Sequence, residues 1–212
     1  MYNYPHYKEH DKEKILEFMR QHPFVTLIGC DKNSRIEATQ IPVLVEEKEG
    51  KIFIHGHIAR KSDHEKAFEQ NQNVLALFTG AHTYVSGTWY SGNPHQASTW
   101  NYISIHARGQ IKFQDENALI GLLKKLSLHF EGGNTSSSTI YDNLPNDYKE
   151  KLIRAIVAFE IEVAELENVF KLSQNRDEKS YDTIVEKLKQ QEGDAKEIGE
   201  LMEKRKSKVF PS

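Results

Sequence analysis

The spacing of apolar positions changes period several times along this chain, and each change predicts an element. Over residues 11–21, Ile15, Phe18 and Met19 share one helical face; Asp11 is placed to cap the helix and Pro23 prevents its continuation. Residues 24–30 form a β-prone run that ends in the turn cluster Asp31-Lys32-Asn33-Ser34. A second strand is predicted over 36–45, where Pro42 marks an edge or a bulge. A charged turn ending in Gly50 leads into a third strand over 51–58. Residues 62–70 read as a short helix capped by Ser62 or Asp63. A fourth strand follows over 74–78, with 84–86 continuing the sheet after a bend. Residues 87–98 hold two glycines and a proline and predict a loop; 99–113 alternates as one long strand.

The second half is more helical. Ala118, Leu119, Leu122, Leu123 and Leu126 make one stripe over 117–129. The Gly/Ser/Thr-rich segment 132–139 predicts a mobile connection, and 147–156 a helix. Phe159, Ile161 and Val163 then alternate with Glu160 and Glu162, and 168–173 predicts one more strand. From residue 177 the chain is charged and helical, with stripes at Ile184, Val185 and Leu188 and at Ile198, Leu201 and Met202. No repeat and no linker-like stretch divides it. Short strands joined by tight turns argue for an antiparallel barrel or sandwich, so the fold class is α+β, mainly β, with covering helices and a helical C-terminal tail.

Composition narrows the setting. The 212 residues suffice for a real core, but a charged fraction of 28% against 38% hydrophobic makes that core economical. A net charge of −3 gives no global attraction to nucleic acid or anionic lipid, so any such contact needs a local patch. Cys30 is the single cysteine, which excludes an intrachain disulfide, and no apolar run approaches spanning length. A cytoplasmic protein without membrane contact is expected.

The candidate chemistry is concentrated at the end of the third strand. There Arg60 and Lys61 follow an apolar run, and a helix-capping serine, Ser62, comes next. A guanidinium and an ammonium at a strand end, before a helix N-terminus, suit a phosphate; a solvated surface pair is the bland alternative. His55 and His57 share one strand face but lack a third ligand at suitable spacing, so they read as lining a polar pocket and no metal is expected. Trp89-Tyr90 and Trp100-Asn101-Tyr102 flank the 87–98 loop, where they serve as core or as a platform for a flat aromatic ligand. Walker and Rossmann glycine patterns and a nucleophile elbow are absent. Glu160, Glu162, Glu165 and Glu167 read as a solvated strand face. Lys204, Arg205, Lys206 and Lys208 read as a frayed, solvated helix end.

Taken in order, several segments resemble the PaiB family of FMN-binding split-barrel proteins, described as negative transcriptional regulators. They are Met1-Tyr2 with Pro5, His22-Pro23-Phe24-Val25-Thr26-Leu27, Ala38-Thr39-Gln40-Ile41-Pro42 and Gly56-His57-Ile58-Ala59-Arg60-Lys61. His82-Thr83-Tyr84-Val85-Ser86 with Trp89-Tyr90, Thr99-Trp100-Asn101-Tyr102 and Lys171-Leu172-Ser173-Gln174-Asn175-Arg176 complete the series. The resemblance implies a split β-barrel homodimer with FMN at the subunit interface, residues 1–176 forming the flavin domain and 177–212 a helical extension packed on it or on the partner. It implies Arg60 and Lys61 on the FMN phosphate, Thr39 and His57 beside them, and Trp100 and Asn101 near the ring. Ser173, Gln174 and Arg176 reach the cofactor, in the same or the other subunit. A flavin-dependent oxidoreductase is the alternative, since the cofactor itself carries redox chemistry. Direct DNA binding is suggested by the regulatory label and not by the residues; haem on His55, His57 or His82 is a further alternative. Where family members commonly carry proline, this chain has Ala81, Gly87 and Ser98, which predicts a looser loop and weaker flavin binding.

Overall fold

Local signals start the elements. In the computed structural model, which describes residues 1, 4–92 and 95–211, helix α1 (Lys12–Gln21) begins where Asp11 accepts hydrogen bonds from the N–H groups of Glu13 (3.1 Å) and Lys14 (3.4 Å). Tyr2 of the opening motif and Asn93 and Pro94 of the 87–98 loop lie outside the described residues. Strands β1 (Phe24–Cys30), β2 (Ile36–Lys48), β3 (Lys51–Ala59), β4 (Asn73–Val85), β5 (Thr99–Phe113) and β6 (Ile156–Lys171) form one sheet in the order β1-β2-β3-β6-β5-β4. Antiparallel pairing of β1 with β4, Thr26 opposite Leu77 to Gly29 opposite Val74, closes it into a barrel.

The described residues fall into two compact units of discontinuous segments, and the division cuts through β4, β5 and β6. The larger comprises residues 16–78 and 106–166. Here alternate residues of the strands turn inward: Val25 and Leu27, Ile41, Val43 and Val45, then Ile52, Ile54 and Ile58 are all buried. Helix α2 (Asp63–Gln70) inserts the fully buried Phe68 against Gly29, where a Cβ would come within 2.5 Å of the ring. Helices α3 (Glu116–Phe130) and α4 (Asn146–Ala155) follow, α3 being capped by Asp115, which accepts the Ala118 N–H at 2.8 Å. Leu119, Leu122, Leu123 and Leu126 of α3 bury themselves with Tyr141 and with Ala158 of β6, and partly buried Leu44 of β2 packs against them.

The smaller unit comprises residues 1–15, 79–105 and 167–212. Its helices α5 (Glu178–Lys189) and α6 (Asp194–Val209) bury Tyr181, Ile184, Leu188, Ile198 and Met202. The Tyr181 hydroxyl donates to the Met202 carbonyl at 2.8 Å.

Several expectations change. The helix predicted to reach residue 156 ends at Ala155, and β6 runs unbroken for 16 residues where two short strands were predicted. The interruption in pattern is real: Ala164 and Glu165 are both exposed, so alternation fades in mid-strand while the backbone continues. Pro42 sits neither on an edge strand nor in a bulge. It is the last β2 residue paired with β1 (opposite Phe24), and pairing with β3 begins at Val43. The basic C-terminal helix is not frayed. Arg205 and Lys208 donate to the buried Glu9 carboxylate at 2.7 and 2.8 Å, and Lys206 bridges Glu178 and Asp182.

Candidate functional site

The first group of expected site residues belongs to the larger unit. Strand β3 ends at Ala59, and the Arg60 N–H donates to the Ala155 carbonyl at 2.9 Å, which fixes where the chain turns. Lys61 has φ of 63°, the left-handed conformation, and its N–H donates to the Glu65 carboxylate. Ser62 caps α2 as predicted: its hydroxyl accepts the Glu65 N–H at 3.3 Å and donates to the Ala59 carbonyl at 2.7 Å. Strand end, turn and helix start are thus tied together, and the Arg60 and Lys61 side chains are exposed at that turn. Neither has an ion-pair partner among the described residues. Thr39 is half-buried on β2, opposite Leu27 of β1. The β2–β3 pairing stops at Val43 opposite Gly56, so Thr39 lies beyond it.

His55 and His57 occupy the opposite face of β3 from the inward isoleucines. His57 Nδ1 is buried without a hydrogen-bond partner among the described residues, and burial pushes its pKa below the ordinary histidine value. Burial also pushes His55 down, opposed by Glu46 and Glu160, each 3.7 Å away. Glu46 itself is held at about 2 by hydrogen bonds from Lys125 and Lys48. Among the described residues no group of three or more His, Cys, Asp or Glu has the arrangement to hold a metal ion.

The second group belongs to the smaller unit. Trp100 is 52% exposed, so it is not a core residue. Its ring is flanked by His82 at 6.2 Å and, edge-on, by Tyr84 at 6.1 Å. Sequence reasoning did not single these two out as ring neighbours; the alternation of exposed residues 82 and 84 along β4 is the signal that could have done so. Asn101 and Ser173 are buried and bonded to each other, Ser173 Oγ donating to Asn101 Oδ1 at 3.0 Å. Gln174 folds back on its own strand end, accepting the Leu172 N–H (2.7 Å) and donating to the Phe170 carbonyl (2.6 Å). Arg176 lies 3.9 Å above the Tyr90 ring and donates to Gln96 Oε1 at 2.8 Å.

Gly87 and Ser98, at the two ends of the 87–98 loop, are bonded to each other. The Gly87 N–H donates to Ser98 Oγ at 2.9 Å, and a Cβ at Gly87 would lie 2.2 Å from the Gln96 carbonyl oxygen. Ser91 adds a second tie, its hydroxyl donating to Asp177 at 2.7 Å. These two hydrogen bonds restrain the loop.

Comparison with known proteins gives the family and the fold. A family model described as "Putative FMN-binding domain" matches residues 1–165. The chain is 31% identical over 204 residues to the protease synthase and sporulation protein PAI 2 of Bacillus subtilis (strain 168), covering 96% of this chain and 97% of that protein. Among solved structures, the FAD and heme binding protein from Mycobacterium smegmatis matches with a TM-score of 0.57 at 14% identity, over 77% of this chain and 72% of that one. A flavocytochrome from Azotobacter vinelandii matches with a TM-score of 0.53 at 18% identity, over 82% and 74%. The fold is the α+β split barrel read from the sequence, and FMN is the cofactor of the family. Among the described residues, no helix is long and apolar enough to cross a membrane. With a family model spanning most of its length and a relative matched nearly end to end, the chain belongs to the PaiB family of FMN-binding domain proteins.

Proposed function

We propose that this chain is a cytoplasmic regulatory protein of the PaiB type that holds FMN where two copies meet. The observation that carries the reading is the Arg60–Lys61 pair: two adjacent cations at a braced strand end, without ion-pair partners among the described residues, before a capped helix. A phosphate dianion supplies the charge they lack, and the guanidinium plane suits two of its oxygens. Thr39 and His57 serve the same end of the cofactor, His57 with a buried ring nitrogen that needs a partner. In the second group Trp100 offers its exposed face to the ring, and Ser173, Gln174 and Arg176 of the turn after β6, with Asn101 of β5 bonded to Ser173, serve the cofactor as well. Bound FMN would supply electron transfer through its ring; the residues named here bind and orient it. In the same reading residues 1–176 form the flavin domain, and 177–212 an extension packed on it or on the partner.

The test is a titration of flavin-free protein with FMN, followed by flavin fluorescence. Quenching that saturates below about tens of micromolar FMN supports the reading. An unchanged signal over that range removes it. Trp100→Ala separates ring from phosphate: it should recover much of the fluorescence of bound flavin while leaving most of the affinity.

A further inference from the structure

Trp100 of β5 does not stand alone. His82 and Tyr84 of β4 are exposed, alternate with buried Ala81, Thr83 and Val85, and flank the Trp100 ring. The His82 and Trp100 ring centroids lie 6.2 Å apart with planes inclined by 32°; those of Tyr84 and Trp100 lie 6.1 Å apart with planes at 72°. Trp100 and Tyr84 are each about half exposed. Aromatic rings left this open to water, grouped on two strands, form a shelf whose apolar faces a flat ligand would cover.

The shelf has two unlike sides. Beside Tyr84 it is aromatic; beside His82 it is polar and fixed. Asp194, the first residue of α6, accepts the His82 backbone N–H at 3.1 Å, and the same carboxylate oxygen lies 3.2 Å from the His82 ring Nδ1. An ionised carboxylate accepts and does not donate, so the proton of the neutral ring sits on Nδ1. Nε2 is then the acceptor nitrogen, and it has no hydrogen-bond partner among the described residues. As an exposed pair this contact stabilises the fold little. Its consequence is orientation: one carboxylate holds both the backbone and the ring of His82, and α6 is anchored by buried Ala195, Ile198 and Met202.

We propose that this shelf sets which way round the flavin ring lies, with His82 Nε2 accepting from the ring's imide N–H and Tyr84 beside its dimethylbenzene end. The oxidised ring is polar at one end and apolar at the other, and the imide holds its only N–H, so its asymmetry matches that of the shelf. Asp194 is a positioning residue that acts through His82. The proposal rests on the flavin reading and deepens it, naming the residue that distinguishes a free imide from a blocked one. The test titrates full-length protein with FMN and with FMN methylated at the imide nitrogen, each followed by fluorescence quenching. The parent should bind the methylated flavin about tenfold or more weakly than FMN. His82→Ala should bind the two alike. Asp194→Ala should lose much of the discrimination, and Asp194→Asn, whose amide oxygen still accepts from Nδ1, should restore most of it. Nitrogen NMR signals of the His82 ring should place the proton on Nδ1 in the parent and show mixed tautomers in Asp194→Ala. Equal affinity of the parent for both flavins, or discrimination retained by His82→Ala with a native circular dichroism spectrum, overturns this inference and leaves the flavin reading standing. Failure of the parent to bind either flavin removes the flavin reading, and this inference with it.

Discussion

Single charges do different work at different places in this chain. Arg60 and Lys61 stand exposed at a turn, whereas Glu9 is buried and saturated with donors: Arg205, Lys208 and the N–H groups of His10 and Asp11. Burial pushes the Glu9 carboxyl up, but Lys208, the Asp11 N–H and Arg205 outweigh it and hold the pKa at about 2, against 4.5 normally. A carboxylate with a depressed folded pKa stabilises fully above its unfolded pKa, and that contribution fades as pH falls through the folded value. Glu9→Gln should therefore cost about 1–3 kcal/mol at neutral pH, because it takes the counter-charge from half-buried Arg205. The gap between parent and variant should shrink from about pH 4.5 down to about 2, as read by urea denaturation across that range. His57 has the same sign, through burial of the ring, in a window at higher pH. Its lowered pKa favours the neutral ring in the folded chain, so folding weakens as pH drops below about 6.5. An NMR titration should place its midpoint below the ordinary histidine value; a midpoint above it would mean that a carboxylate, not burial, governs the ring. The caps at Asp11 and Ser62 were legible because a cap and its helix are neighbours in sequence. The clasp on Glu9 was not, since Arg205 lies 196 residues away, and for that reason the basic tail reads as frayed.

At the level of elements, alternation located β1 and β5 to the residue, and the leucine stripe located α3 to within one. The long strands were cut short. β4 runs on from Phe78 through Thr79 and Gly80 to Val85, and β6 through Ala164 and Glu165, where local pattern is weak and pairing with neighbouring strands decides. Glycines give a direct test of how closely strands and helix approach. A Cβ at Gly109 would lie 2.2 Å from the Glu162 carbonyl oxygen, which is backbone of the next strand, while at Gly29 it would meet the edge of the Phe68 ring at 2.5 Å. A ring can tilt, and a strand cannot move without breaking its ladder. Gly109→Ala should thus destabilise more than Gly29→Ala, with both costs on the order of 1–3 kcal/mol in thermal melts. The reverse order would mean that β5 and β6 separate more readily than the Phe68 plug shifts.

For the molecule as a whole, the sequence carried fold class and family because the motifs follow one order from end to end. It did not show that the described residues form two interleaved units, since no linker marks a boundary that cuts through three strands. The site was legible as chemistry and not as geometry. Arg60, Lys61 and Trp100 are exposed, but Gln174 proves to be engaged within its own turn and Asn101 of β5 is bonded to Ser173 of that turn, across 72 residues. The central claim, that the Arg60–Lys61 turn grips the phosphate of FMN, is tested most directly by titrating the parent chain and Arg60→Ala with FMN at one ionic strength. The parent should quench flavin fluorescence to saturation, and the variant should bind more weakly by about 1.5–3 kcal/mol, on the order of ten- to a hundredfold, with an unchanged circular dichroism spectrum. Equal affinity in the two proteins would contradict the account.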